Sequence, residues 1–182
     1  MAKEQALIMV GYRGSTHTAP DRDAVDVMTA VLSGMAGRLF QSVREAHGLS
    51  YTLGAVHVPG WDPGYLLVYA ATRPGEEARV RQVLDEQLAL AAAQGFTEEE
   101  VEQAKRYLIG LHRLDLQFLA GLAKRSALEE LYGLGFNAWT TYEARINAVT
   151  LPMVNEAAAR YLTRPPRARV VISPNGHPDT RN

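Results

Sequence analysis

The sequence predicts an α+β domain, a two-layer sandwich whose antiparallel or mixed sheet carries helices mainly on one face. Three observations lead there. Apolar runs with strand character stand at Ala6 to Tyr12, Tyr51 to Val58, Tyr65 to Thr72 and Arg167 to Ile172. A long block of helical periodicity separates the third run from the fourth, and strands followed by helices followed by one strand is the order of an α+β layer fold. The connections are short and rich in Gly and Pro, which suits one compact unit. With 182 residues, 47% of them apolar, the chain is long enough for a single domain with its own core, placed at 1–176 with a polar tail at 177–182.

The first run, Ala6 to Tyr12, is continuously apolar and is bounded by Arg13-Gly14-Ser15, the pattern of a strand covered on both faces or lying centrally in a sheet. A central strand so near Met1 leads us to expect further protein upstream, the alternative being a first strand tied directly into its sheet. Val25, Met28, Val31 and Leu32 share one face of a helix over Asp21 to Ser33, with Pro20 suited to its first turn and Gly34 to its C-cap. Leu39, Phe40 and Val43 predict a short amphipathic helix over Gly37 to Ala46, stopped by Gly48. The strands at 51–58 and 65–72 form a hairpin or meander around Pro59-Gly-Trp-Asp-Pro-Gly64. Trp61 at its tip is either an exposed binding aromatic or a lid folded over the turn, and the lid is the reading we favour.

Beyond Arg73-Pro-Gly75, Val80, Val83, Leu84, Gln87 and Leu88 mark a helix ended by Gly95. Thr97 and Glu100 form a capping box before a long helix striped by Val101, Ala104, Leu108, Leu111 and Phe118, giving two antiparallel helices. Helical segments follow at Leu122 to Leu131, Ala138 to Val149 and Pro152 to Tyr161, and the last strand closes the fold.

Composition narrows the function. A net charge of −1 lacks the basic excess of a nucleic-acid binder, so no nucleic-acid partner is expected. There is no cysteine, hence no disulfide and no thiolate metal site. No window reaches the length of a transmembrane helix and the N-terminus lacks the pattern of a signal peptide, so the chain is expected to be cytoplasmic and free of membrane. No G-x-S-x-G, P-loop or G-x-G-x-x-G occurs, and Glu98 to Glu102 read as helix-start charges favoured by the macrodipole.

The stretch Ser33 to Tyr51, SGMAGRLFQSVREAHGLSY, is the part that points to chemistry. The turn at Gly48 brings Arg44 and Tyr51 to one corner, where a guanidinium and a phenol can donate hydrogen bonds to the same carbonyl group. Taken from the residues alone, Arg44 pairing with a carboxylate or capping its helix, and Tyr51 as a half-buried strand aromatic, is the more ordinary account.

The same stretch resembles the signature R-L-F-x-x-(V/L)-R-E-x-x-G-L-(A/S)-Y of the C-terminal half of the pitrilysin, insulinase and mitochondrial processing peptidase family of zinc metallopeptidases. The match is Arg38-Leu39-Phe40, Val43-Arg44-Glu45 and Gly48-Leu49-Ser50-Tyr51. It continues in Gln5 to Tyr12, Glu99 to Lys105, Leu131 to Gly135, Arg145-Ile-x-x-Val-Thr150 and Tyr161-Leu162, although Ser33-Gly-Met-Ala-Gly37 is plainer than in many relatives. The resemblance implies the α+β fold. It also implies that Arg44 and Tyr51 are the catalytic residues this half contributes, reaching the substrate backbone across a chamber from a zinc ion held elsewhere.

In that family the catalytic half holds zinc through an inverted H-x-x-E-H helix motif and a later glutamate, and this chain has no such motif. Its histidines, His17, His47, His57, His112 and His177, are scattered, and we expect no metal or other cofactor in this chain. The resemblance therefore implies the C-terminal half or partner subunit of a zinc metalloendopeptidase, inactive on peptides by itself. Its partners would be a zinc-bearing half and an unfolded peptide substrate, with self-association or hetero-oligomer formation through an apolar face left without cover. The alternatives are a non-catalytic structural or assembly subunit of the same fold, or an unrelated α+β module that binds peptides along a strand edge.

Overall fold

The computed structural model describes residues 5–33, 37–46, 50–165 and 168–174; the side chains of 44–46, 50 and 51 lie outside that description, as does the tail predicted at 177–182. Four strands form one antiparallel sheet in the order β2 (Ser50–Val58), β3 (Tyr65–Thr72), β1 (Ala6–Arg13), β4 (Ala168–Ile172). Of the two sheet types expected, the antiparallel one is present, because the hairpin joins β2 to β3 and both neighbours of β1 run against it.

β1 is central, as its apolar run predicts, but it is covered on one face only. Ala6, Ile8, Val10 and Tyr12 are buried while Leu7, Met9 and Gly11 are half-buried on the reverse side. Leu66, Val68, Ala70 and Thr72 of β3 lie on the covered face with Ala55 of β2. Over them pack α1 (Arg22–Ser33), α2 (Glu77–Gln94) and α6 (Leu151–Leu162), and α3 (Glu98–Asp115) lies on α1 with α5 (Tyr142–Ala148) beside it. α1 is enclosed on nearly every side, which is why Ala24, Val27, Thr29 and Ala30 are buried in addition to the four residues of its predicted stripe. Each fully buried Leu, Ile or Met here contributes about 1.5–3 kcal/mol.

Gly95, with φ +69°, ends α2, and Asn155 of α6 accepts the Phe96 N–H at 2.7 Å, so the connection to α3 is pinned from a distant helix. The Thr97 and Glu100 capping box is formed. The two helices it joins are not each other's main partners, however. α2 packs on α6 and α3 on α1.

The outer part of the α3 stripe also differs from expectation. Leu111 and Phe118 are exposed, and no residue of α4 (Leu119–Leu131) is buried. The 119–137 arm touches the body through Tyr132, whose ring stacks on His17 at 3.6 Å and meets Trp61 edge-on at 5.7 Å. Trp61 is 67% exposed, so it is an exposed aromatic against the arm and not a lid over its own turn.

Among the described residues no helix packs on the far face of the sheet. Val56, Val58, Tyr65, Val170 and Ile172, each 36–50% exposed, surround half-buried Leu7, Met9, Leu67 and Tyr69. At Gly54 within it, a Cβ would come within 2.9 Å of the Tyr69 hydroxyl, so any larger residue there would displace that side chain. Among the described residues no helix is long and apolar enough to cross a membrane.

Candidate functional site

Arg44 and Tyr51 lie on the two irregular pieces of backbone in this region. The segment Phe40–Ala46 is a π-helix, a form rare in general and frequent at functional sites. Leu39 and Val43 are fully buried and fix it against α2 and β2, while Gln41 N–H bonds Gly37 O at 3.1 Å and Ser42 Oγ bonds Arg38 O at 2.7 Å. The spacing of Leu39 and Val43 predicts an α-helix, and the wider turn is the difference the structure makes. Tyr51 stands where the β2 to β3 register shifts between Ser50 and Thr52, a bulge that re-aims the strand at its start. The corner proposed at 47–49, and the side chains of Arg44 and Tyr51, lie outside the described residues.

The entry to the π-helical segment is held by a pair that the motif contains but the spacing does not reveal. Arg38 donates to Glu100 through Nε to Oε1 at 2.6 Å and Nη2 to Oε2 at 2.9 Å, and its guanidinium lies over the Phe96 ring at 4.9 Å from the centroid. Glu100 Oε2 also accepts the Thr97 N–H at 2.7 Å, so one carboxylate caps α3 and anchors the site segment. Burial acts to raise the Glu100 pKa, but the Arg38 and Thr97 hydrogen bonds outweigh it and hold the carboxyl below the usual range.

The sign of the pH dependence follows. A pKa lowered by folding adds stability above the unfolded value of about 4.3, and that stability is lost as pH falls through the folded value. Glu100→Gln keeps a capping side chain and removes the charge. Its destabilisation relative to wild type is expected to shrink between about pH 6 and pH 3 in urea melts, and a pH-independent difference would refute the charge pair as its cause.

Of the five histidines, His17, His57 and His112 lie among the described residues, and each has a partner of its own. His17 stacks on Tyr132, His57 bonds Asp26 and Ser15, and His112 lies on Tyr142 at 4.4 Å with its pKa lowered by burial and then by Arg125. Both ring nitrogens of His57 are engaged, and among the described residues no group of three or more His, Cys, Asp or Glu is placed to hold a metal ion. The donor set among the described residues does not fit zinc.

Residues 1–108 match the family model of the peptidase M16 inactive domain. The chain belongs to the M16 peptidase family. Within M16 its curated relatives include an uncharacterized zinc protease of Mycobacterium leprae, 36% identical over 163 residues, or 88% of this chain and 36% of the relative. A second, from Bacillus subtilis, is 31% identical over 175 residues, or 96% of this chain and 42% of the relative. The chain thus spans about two fifths of the length of these relatives. Among solved structures, the inactive peptidase domain of a candidate zinc protease from Bordetella parapertussis superposes with a TM-score of 0.83 at 20% identity, covering 95% of this chain and 94% of that one. A periplasmic protease of Escherichia coli matches with a TM-score of 0.70 at 19% identity over 91% of this chain and 18% of its own. The fold is that of the M16 inactive domain, in line with the α+β layers and the resemblance read from the motif.

Proposed function

We propose that this M16 inactive domain is the non-zinc half of a zinc endopeptidase, in which Arg44 and Tyr51 donate hydrogen bonds to the backbone of a peptide while zinc is held by another half. The observation that supports the reading is that the two motif residues fall on a π-helical segment and at a β-bulge, backbone forms that recur next to functional sites. The helix-free sheet face supports a partner, since an apolar surface this broad is ordinarily covered.

A reconstitution tests it. The purified chain should hold no stoichiometric zinc and leave unfolded peptide intact, and peptide hydrolysis should appear when the zinc-bearing half of an M16 relative is added. Sedimentation should show self-association or a mixed complex. One equivalent of zinc surviving dialysis of the chain alone, or a monomer that ignores the zinc-bearing half at high concentration, would contradict the reading.

A further inference from the structure

Away from Tyr51, at the other end of β2, a second constellation of side chains has no part in peptide binding as proposed above. The loop after β1 is tied to the hairpin turn by Gly14 N–H to Gly64 O at 2.8 Å, Gly64 N–H to Ser15 O at 2.9 Å and His17 N–H to Gly60 O at 2.9 Å. This places Ser15 Oγ 3.0 Å from His57 Nε2, and His57 Nδ1 lies 2.7 Å from Asp26 Oδ1. The imidazole is 1% exposed, so water is kept from its ring nitrogens, while the Asp26 carboxylate at the edge of the trio is 26% exposed.

Asp26 accepts only, which keeps the ring proton on Nδ1 and leaves the Nε2 lone pair facing the serine hydroxyl. The Ser15 N–H also points at Nε2, at 3.3 Å, which agrees with an acceptor there. The other partner open to the hydroxyl, Thr16 O, is more distant at 3.3 Å. Thr16 N–H meets no acceptor among the described residues. In nucleophile turns, the N–H of the residue after the serine receives the charge that develops on the acyl oxygen.

Ser15, 3% exposed, lines the floor of a cleft of about 550 Å³ between its loop, the hairpin turn and the end of α6, together with Arg13, Arg160 and Arg164, while His57 and Asp26 lie behind it. Arg160 is paired with Asp21 at 2.9 Å, whereas Arg13 and Arg164 have no carboxylate partner among the described residues. Guanidiniums with no carboxylate partner among the described residues, lining the same cleft as the serine, favour an anionic ligand.

We propose that Ser15, His57 and Asp26 form a serine-nucleophile site for esters of carboxylate-bearing acids, separate from the peptidase role. His57 Nε2 takes the hydroxyl proton as Oγ bonds to the acyl carbon. Collapse of the tetrahedral adduct breaks the bond to the alcohol, which leaves with the proton from Nε2. Water then adds with His57 again as base, and the acyl–Oγ bond breaks to return Ser15. The balance is ester plus water to acid plus alcohol.

The test uses the full chain with a metal chelator present, so that its result is independent of the zinc reading. A fluorophosphonate reagent should modify Ser15 alone, as located by mass spectrometry of proteolytic fragments. Above the protein-free background, the p-nitrophenyl monoester of terephthalic acid, whose carboxylate cannot reach its own ester, should be cleaved faster than p-nitrophenyl benzoate. Ser15→Ala should abolish both signals while Ser126→Ala keeps them, and Asp26→Asn should slow ester cleavage by at least about 10²-fold. Arg13→Ala with Arg164→Ala should erase the preference for the anionic ester. If the trio only fastens the loop, Ser15→Ala lowers the melting temperature and wild-type protein takes no label. Unlabelled Ser15 in protein shown by its thermal melt to be folded overturns the proposal, a result that does not depend on any variant folding.

Discussion

Tyr51→Phe is expected to lower peptide turnover by roughly 10²-fold in the complex with a zinc-bearing half, with little change in melting temperature. The phenylalanine ring keeps the packing of the tyrosine and lacks one donor. A donor that acts on charge developing as the peptide carbonyl becomes tetrahedral contributes more to the transition state than to the bound substrate, so the loss should fall on kcat more than on KM. Arg44→Lys keeps the charge and loses the planar fork of donors, and it should be impaired as well. The opposing account makes Arg44 half of a structural pair and Tyr51 a strand aromatic. It expects near-normal turnover from Tyr51→Phe and a lower melting temperature from Arg44→Lys. Rates and thermal melts on the same preparations separate the two, and wild-type turnover from Tyr51→Phe would remove that residue from the chemistry.

The sheet is the most legible part of the fold, because its signals are local. β3 occupies Tyr65–Thr72, the interval its apolar run and bounding turn residues define, and the capping box marks the start of α3 to the residue. What periodicity cannot carry is whether a face has anything to pack against. The Leu111 and Phe118 end of the α3 stripe has helical spacing but stays exposed, and β1 reads as apolar throughout although one side of it meets no helix among the described residues. Backbone form is hidden for a related reason: Leu39 and Val43 fall on one face in either an α- or a π-helix, so their spacing does not reveal the wider turn.

The two candidate sites differ in the same way. Arg44 and Tyr51 are close in sequence and sit inside a recognisable motif, so the order of residues along the chain is enough to single them out. Ser15 is 42 residues from His57, and His57 is 31 from Asp26, so no window contains the three. The signal sought for a serine nucleophile, G-x-S-x-G, belongs to a strand-to-helix elbow, whereas Ser15 sits on a loop held by a hairpin turn. Arg38 and Glu100 lie 62 residues apart, and only their shared membership of the family pattern hints at a link.

The largest effect on stability near the site is expected from Leu39→Ala. Leu39 is fully buried where the chain enters the π-helical segment, and with Val43, the residue before Arg44, it carries the apolar anchoring of that segment. Removing its side chain leaves a cavity that α2 and β2, held by their own packing, can close only in part, so the cost should be about 2–5 kcal/mol. Against the 5–15 kcal/mol typical of a folded domain, that is a fall of roughly 5–20 °C in melting temperature for a chain of this size. Leu39→Met conserves volume and should cost less than about 1.5 kcal/mol, and Leu119→Ala, at a residue 85% exposed, should stay within about 0.5 kcal/mol of wild type. In the reconstituted enzyme, Leu39→Ala should also slow turnover below its unfolding temperature, because a loosened segment holds Arg44 less firmly, and Leu39→Met should restore most of the rate. A Leu39→Ala protein that melts with the wild type would show that the segment is not fastened through this side chain, and the packing account of how Arg44 is placed would fall with it.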